Sequence, residues 1–147
     1  MGLVRKFTVS SLSTTQSGEI QFFTPQPSDE TVLVTVPAKV EQDLFVHRFQ
    51  TDQLSVAKGS IVMVLLQNGR YEYVLLSDRT PEKMLTIPPG IPHGVVNLSS
   101  EPCRVVNALL RHGPVCESDY RPRKPRFAYD LKQVRAKLME LEVPAGV

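Results

Sequence analysis

The stretch IPPGIPHGVVN, residues Ile87 to Asn97, is the most informative part of the sequence. It places three prolines and a glycine directly before His93, one of only three histidines among 147 residues. Proline fixes φ and removes a backbone donor, whereas glycine permits backbone angles that are closed to other residues. The stretch therefore predicts a rigid, non-helical turn that delivers the His93 imidazole at the start of a strand.

The segments on either side of this turn have the pattern of short strands separated by turn residues, which is typical of a sandwich or a barrel. Asn68-Gly69 lies between two of them and is a strong hairpin signal. The predicted strands are Val4–Val9, Glu19–Thr24, Thr31–Val36, Asp43–Gln50, Leu54–Ala57, Ser60–Gln67, Arg70–Leu76, Met84–Ile87, Gly94–Leu98 and Cys103–Arg111.

The end of the chain has a different pattern. Leu131, Val134, Leu138 and Leu141 recur at helical spacing, and Asp130 precedes them as a candidate N-cap. We predict a helix over about residues 130–142 that packs an apolar stripe on the strands. Residues 1–147 are predicted to form a single domain, with its β portion over about residues 1–128.

Composition limits the partners of the chain. A formal charge of +2 is too small to indicate nucleic acid or a membrane surface as a partner. We find no apolar run long enough to span a bilayer and no secretory h-region near the first residues. Two cysteines are too few for a disulfide framework, so we expect a reduced, cytoplasmic protein.

A second histidine lies in the segment LFVHRFQ. Strand alternation would place Phe45, His47 and Phe49 on one face. Two interpretations are open. His47 lines an apolar interior as a packing residue, or it presents its imidazole at the mouth of a pocket.

The turn quoted above resembles the second cupin motif, Pro-x-Gly-x-x-His-x-x-x-Asn. Pro88, Gly90, His93 and Asn97 match it, and Glu82 stands where that motif opens with glycine.

The first cupin motif, His-x-His followed by a Glu and a Gly, is present in part. His47 matches the first histidine, Phe49 replaces the second, and Gln53 stands where the glutamate is expected. Gly59 closes the motif one residue early.

Three longer segments, LSVAKGSIVMVLLQNG, LTIPPGIPHGVVNLSS and CESDYRP, are similar to the nucleotide-sugar epimerases and ketoisomerases of the cupin superfamily. This group includes dTDP-4-dehydrorhamnose 3,5-epimerase and the dTDP-4-keto-6-deoxyhexose 3,4-isomerases. The resemblance implies an all-β fold, a single cupin (jelly-roll) β-barrel with a short C-terminal helix. It also implies a homodimer and a small-molecule ligand, a nucleotide sugar.

The resemblance also implies roles for individual residues. His47 matches the base that removes a proton next to a keto group, although another register puts Arg48 there. The tyrosine that returns the proton in the epimerases is replaced by Val106 or Asn107. Tyr73 on the hairpin strand is the candidate in its place, although packing against the sheet is the simpler interpretation. The predicted catalytic residues are His47 and Tyr73, and the predicted substrate-binding residues are Arg48, Gln53, His93, Asn107 and Glu117.

Metal-dependent cupins hold their ion with three histidines and a glutamate. This chain offers His47, His93 and a neutral Gln53, and two imidazoles without an anionic ligand form a poor site for a divalent ion. We therefore expect no bound metal and no cofactor. The predicted function is epimerisation or isomerisation of a dTDP-4-keto-6-deoxyhexose by proton transfer next to the keto group. The alternative is a non-catalytic barrel that binds a sugar or another small ligand.

Overall fold

The computed structural model describes residues 6–115 and 127–142. They form mostly β-structure with one short C-terminal helix. The strands are β1 (Thr8–Ser11), β2 (Ser13–Ser17), β3 (Ile20–Thr24), β4 (Glu30–Val36), β5 (Val40–Glu41), β6 (Gln50–Lys58), β7 (Ser60–Gln67), β8 (Arg70–Ser77), β9 (Lys83–Ile87), β10 (His93–Asn97) and β11 (Cys103–Arg111). Helix α1 (Leu131–Met139) continues into a 3-10 turn, Glu140–Glu142.

Two antiparallel sheets carry the fold. One has five strands in the order β1-β9-β6-β11-β4, and the other has four in the order β5-β10-β7-β8. Strands β2 and β3 form a separate hairpin. The predicted barrel is thus corrected in one respect, because among the described strands no pairing joins the edges of the two sheets and closes them.

The main core lies between the two sheets because alternate side chains of both sheets point inward. It contains Leu54 and Leu85 from the five-stranded sheet and Ile61, Leu65 and Leu76 from the four-stranded sheet. Each of these side chains is at most 7% exposed. Burial of this apolar surface stabilises the stacked arrangement.

A second apolar cluster covers the outer face of the four-stranded sheet. Val134 of helix α1 is fully buried there against the sheet. Asp130 caps the helix as predicted, since its carboxylate accepts hydrogen bonds from the backbone of Lys132 and Gln133. No helix among the described residues is long and apolar enough to cross a membrane.

Most strand predictions are confirmed within a few residues. The Asn68-Gly69 turn joins β7 to β8 with φ of 56° and 76°, the left-handed values that a two-residue hairpin turn requires. The predicted Val4–Val9 strand is found as Thr8–Ser11, and residues 1–5 lie outside the described residues. Two short strands, β2 and β5, were not predicted. The single-domain assignment stays a prediction.

The predicted strand Asp43–Gln50 is wrong. Only isolated bridges occur in this segment, and the regular strand β6 begins at Gln50. The segment pairs with the proline-rich turn, where Pro88, Pro89 and Pro92 cannot donate backbone hydrogen bonds. A continuous ladder is therefore impossible along this stretch.

Candidate functional site

His47 and His93 face each other across one cavity. Their ring centroids are 5.5 Å apart. The cavity has a volume of about 210 Å³ and opens between the two sheets. Its lining residues are Val34, Val36, Gln42, Phe45, His47, Asp52, Leu54, Ile61, Met63, His93, Val95, Val105 and Asn107.

Backbone hydrogen bonds hold the two histidine segments together. Phe45 and His93 exchange a pair of them, at 2.7 and 2.8 Å, and the Gly90 amide donates to the His47 carbonyl at 2.8 Å. Gly90 has a φ of 91°, which favours glycine. The Pro-Gly turn therefore positions His47 as well as His93.

Asn97, the last residue of the turn motif, is fully buried and serves the fold. Its amide donates to the carbonyls of Val36, Pro37 and Glu101, and its side-chain oxygen accepts from Ser99. It ties β10 to the loop that follows β4.

Asp52 is the central residue of the site, and it is not among the residues predicted from the sequence. Its Oδ2 lies 3.4 Å from His47 Nε2 and 3.2 Å from His93 Nε2. Its Oδ1 accepts hydrogen bonds from Gln50 at 2.6 Å and from Asn107 at 3.0 Å. The side chain is only 5% exposed.

Burial alone would raise the pKa of the Asp52 carboxyl. The hydrogen bonds and charges of His47 and His93 outweigh burial and hold this pKa well below its usual range. Asp52 is therefore a carboxylate at neutral pH. It provides a fixed negative charge beside two imidazoles.

A signal for Asp52 was present in the sequence. Counting forward from His47 places Gln53 at the glutamate position of the first cupin motif and leaves Gly59 one residue early. Counting back from Gly59 instead places Asp52 there. The glycine is the better anchor because it has a φ of 93° and its amide bonds the Asp78 carboxylate.

The other predicted site residues divide between the cavity and other surfaces. Asn107 lines the cavity, and its side-chain oxygen accepts a hydrogen bond from the backbone N–H of Gln53. The Gln53 side chain points to the other face of β6, where it donates to the Ala108 carbonyl at 2.7 Å. Arg48 lies over the Phe49 ring, 5.4 Å from its centroid, and does not line the cavity.

Tyr73 lies on the outer face of the four-stranded sheet, opposite the cavity. It belongs to the cluster beneath helix α1, and its hydroxyl accepts a hydrogen bond from the Asp130 backbone at 2.8 Å. Strand alternation explains this, because its neighbour Val74 faces the core. The structure therefore does not bring Tyr73 to the histidines. Glu117 lies outside the described residues.

Phe49 also departs from the predicted face. It contacts Gly113, where an added Cβ would lie 2.9 Å from the Phe49 ring, and it does not line the cavity. Phe45 and His47 remain in the cavity without Phe49 because the segment is not a regular strand.

Metal-binding chemistry is also present. His47, Asp52 and His93 each offer one ligand atom, and these atoms lie within 4.8 Å of one another. The absence of an anionic ligand was the reason to expect no metal, and Asp52 provides that ligand.

Comparison with solved structures assigns the fold. The structure is similar to a dTDP sugar isomerase from Desulfovibrio desulfuricans G20, with a TM-score of 0.67, 19% identity and coverage of 84% of this chain and 87% of the other. It is also similar to a 3,4-ketoisomerase variant from Thermoanaerobacterium thermosaccharolyticum in complex with TDP-4-keto-6-deoxyglucose, with a TM-score of 0.60, 14% identity and coverage of 80% and 87%. The chain shares its fold with these solved structures of dTDP-sugar isomerases.

A third similar structure is dTDP-4-dehydrorhamnose 3,5-epimerase from Sulfolobus tokodaii. Its TM-score is 0.60 at 18% identity, and the match covers 78% of this chain and 76% of that one. No family profile and no curated protein matches the sequence. The resemblance inferred from the motifs is thus confirmed at the level of fold.

Proposed function

We propose that the chain is a nucleotide-sugar epimerase or isomerase that moves a proton next to the keto group of a dTDP-4-keto-6-deoxyhexose. The observation that carries this proposal is the contact of His47 with the buried Asp52 carboxylate in a cavity open to a ligand. The likeness to a ketoisomerase solved with TDP-4-keto-6-deoxyglucose supports the choice of substrate.

His47 is the proposed base. When an imidazole takes a proton from carbon it becomes a cation, and the Asp52 carboxylate 3.4 Å away stabilises that charge. The apolar cavity wall strengthens this attraction because it excludes water. His93 and Asn107 are the proposed contacts to the sugar. Arg48, Gln53 and Glu117 stay predictions as substrate-binding residues.

The cavity volume indicates how the substrate would bind. About 210 Å³ is below the range of roughly 300–1,000 Å³ that is usual for pockets holding drug-sized ligands. We infer that the sugar ring enters the cavity and that the nucleotide lies outside it. In the part of the chain that the structure describes, residues 6–115 and 127–142, no tyrosine lines the cavity to return a proton on the opposite face. We therefore expect proton exchange to be faster than net inversion.

The test is solvent exchange. Protein incubated in D₂O with a dTDP-4-keto-6-deoxyhexose is expected to incorporate deuterium at C3 or C5, measured by NMR and mass spectrometry. The control is dTDP-glucose, which has no keto group to acidify a neighbouring C–H bond and should remain unlabelled. Measurable binding of the keto sugar without any exchange would favour the non-catalytic ligand-binding barrel.

We also propose that a second copy of the chain pairs with this one. Ile20 and Phe22 on the β2–β3 hairpin are 61% and 49% exposed, and Leu33 on the edge strand β4 is 80% exposed. An isolated two-stranded hairpin is marginally stable in water.

Light scattering is expected to give twice the chain mass, and Leu33→Lys should shift the equilibrium towards monomer. A monomeric mass at all accessible concentrations would contradict the dimer.

A further inference from the structure

We propose that Arg111 is a positioning residue for the candidate site, because its guanidinium fixes the side-chain amide of Gln50 and this amide in turn fixes the Asp52 carboxylate. Arg111 Nη1 donates to Gln50 Oε1 at 2.8 Å, and Gln50 Nε2 donates to Asp52 Oδ1 at 2.6 Å. We call these three side chains the relay. Its catalytic effect rests on the proposed function, whereas the relay itself is measured without a sugar.

The direction of the hydrogen bonds in the relay is fixed by chemistry. A guanidinium only donates, so the atom of Gln50 that faces Arg111 is the amide oxygen. The amide nitrogen of Gln50 then faces Asp52, whose carboxylate only accepts. Rotating the Gln50 amide by half a turn would set donor against donor at one end and acceptor against acceptor at the other. Arg111 therefore excludes the reversed orientation of Gln50.

The start of strand β4 holds Arg111 in place. Its Nη2 and Nε both donate to Glu30 Oε2, at 2.9 and 3.2 Å, and its backbone N–H donates to the Asp29 carboxylate at 2.8 Å. The Arg111 side chain is 27% exposed. Because the guanidinium is a planar, preorganised fork, it loses little further freedom when it also binds Gln50. The relay thus has a fixed outer end.

Strand pairing brings the members of the relay together. Arg111 on β11 and Gln50 on β6 are register partners, and Asp52 follows Gln50 by two residues, on the same face of the strand. Gln50 and Asp52 are buried. A hydrogen bond is stronger in such surroundings than in water, and a buried polar atom that loses its partner is costly. Loss of Arg111 would remove a donor from the buried oxygen of Gln50.

A second amide supports the same oxygen of Asp52. Asn107 Nδ2 donates to Asp52 Oδ1 at 3.0 Å, and the Asn107 oxygen accepts from the backbone N–H of Gln53. With Oδ1 held by two amides, Asp52 Oδ2 is directed at the two imidazoles of the site, 3.4 and 3.2 Å away. A backbone group orients Asn107, whereas a side chain orients Gln50. The orientation of Gln50 is therefore the one that a substitution of Arg111 changes.

The consequence for the proposed reaction is geometric. A catalytic group displaced by about 1 Å lowers the rate of the chemical step by up to about a hundredfold. Arg111 does not line the cavity, so its loss leaves the contacts to the sugar in place. We expect Arg111→Met to lower kcat for deuterium incorporation by about ten- to a hundredfold with little change in KM.

Two further variants separate positioning from a general loss of structure. Arg111→Lys keeps a charged donor for Gln50 and loses the fork to Glu30, so it should retain a higher kcat than Arg111→Met. Arg104→Met is the matched control. Arg104 lies on the same strand and bonds Thr35 of β4 at 3.0 Å, outside the relay, so its replacement should leave kcat unchanged. Circular dichroism of each variant checks that the fold is retained.

A double-mutant cycle tests whether Arg111 acts through Gln50. Gln50→Leu removes the amide and nearly preserves the size of the side chain. If Arg111 acts through this amide, Arg111→Met should lower kcat by less than about twofold in the Gln50→Leu background, because no amide orientation is left to disturb. Urea denaturation of the same four proteins measures the coupling in the absence of a sugar.

The side-chain NH₂ group of Gln50 provides a direct signature of the relay. In ¹⁵N-labelled protein it is assigned as the signal that is lost in Gln50→Leu. Its protons should exchange slowly with solvent, and Arg111→Met should speed this exchange at least about tenfold, whereas Arg104→Met should not. The proposal is overturned if Arg111→Met leaves this signal unchanged, or if the effects of Arg111→Met and Gln50→Leu are additive. If the wild-type protein exchanges no sugar, the proposed function fails, and the NH₂ signal and the unfolding cycle still decide the relay.

Discussion

Replacing His47 with asparagine is expected to slow deuterium incorporation into the keto sugar by about a hundred- to ten-thousand-fold, the usual contribution of a general base. This range corresponds to about 3 to 5 kcal/mol of activation free energy. Asparagine keeps an amide that can donate to the Asp52 carboxylate, but it cannot accept a proton from carbon. The rate of deuterium incorporation, measured by NMR, checks this expectation.

Two control variants separate a chemical effect from a general loss of structure. Tyr73→Phe removes a hydroxyl that bonds Asp130 beneath helix α1, and His112→Asn changes a histidine outside the cavity. Both variants should exchange the sugar at nearly the wild-type rate. Calorimetry should also show that His47→Asn still binds the nucleotide sugar. Unchanged exchange in His47→Asn would remove this residue from the mechanism, and a large loss in Tyr73→Phe would restore the tyrosine to it.

Replacing Gly94 with alanine is expected to lower the free energy of unfolding by about 2 to 4 kcal/mol, from overpacking and the loss of a buried hydrogen bond. A Cβ at this position would lie 2.6 Å from the Tyr129 hydroxyl and 2.8 Å from the Gln42 carbonyl oxygen. Those two oxygens are themselves joined by a hydrogen bond of 2.8 Å. Urea denaturation followed by circular dichroism measures the effect.

A double variant tests the cause. Tyr129→Phe removes the nearer of the two oxygens, so Gly94→Ala should cost less in that background than in the wild-type protein. The remaining contact with the Gln42 backbone prevents full recovery. Equal costs in both backgrounds would show that the hydroxyl is not the source, and a wild-type midpoint for Gly94→Ala would contradict the close packing itself.

The elements predicted well from the sequence are those fixed by local chemistry. Cys103–Arg111 was predicted with its observed bounds because a run of β-branched and apolar residues ends at a turn signal. The Asn68-Gly69 hairpin follows from the left-handed backbone that these two residues adopt. Helix α1 follows from its N-cap Asp130 and its apolar spacing. Each depends on residues that are neighbours in the chain.

The errors lie where distant segments meet. Local alternation predicted a strand through His47. The backbone there is set instead by hydrogen bonds to a distant segment, because Phe45 exchanges a pair with His93 and the Gly90 amide donates to the His47 carbonyl. Tyr73 lies on a strand whose side chains alternate between two faces. Only the packing of helix α1 shows that the face of Tyr73 is the outer one. Alternation gives two faces and does not say which one borders the cavity.

By itself, the sequence determined the all-β class of the fold, the rigid turn before His93 and the resemblance to nucleotide-sugar isomerases, because turn residues, strand periodicity and short motifs act over a few positions. The tertiary structure decided the composition of the site. It brought Asp52 of β6 between His47 and His93 and supported the carboxylate with Asn107 of β11. These residues are separated by many positions along the chain, and only the pairing of strands and the stacking of sheets bring their side chains together.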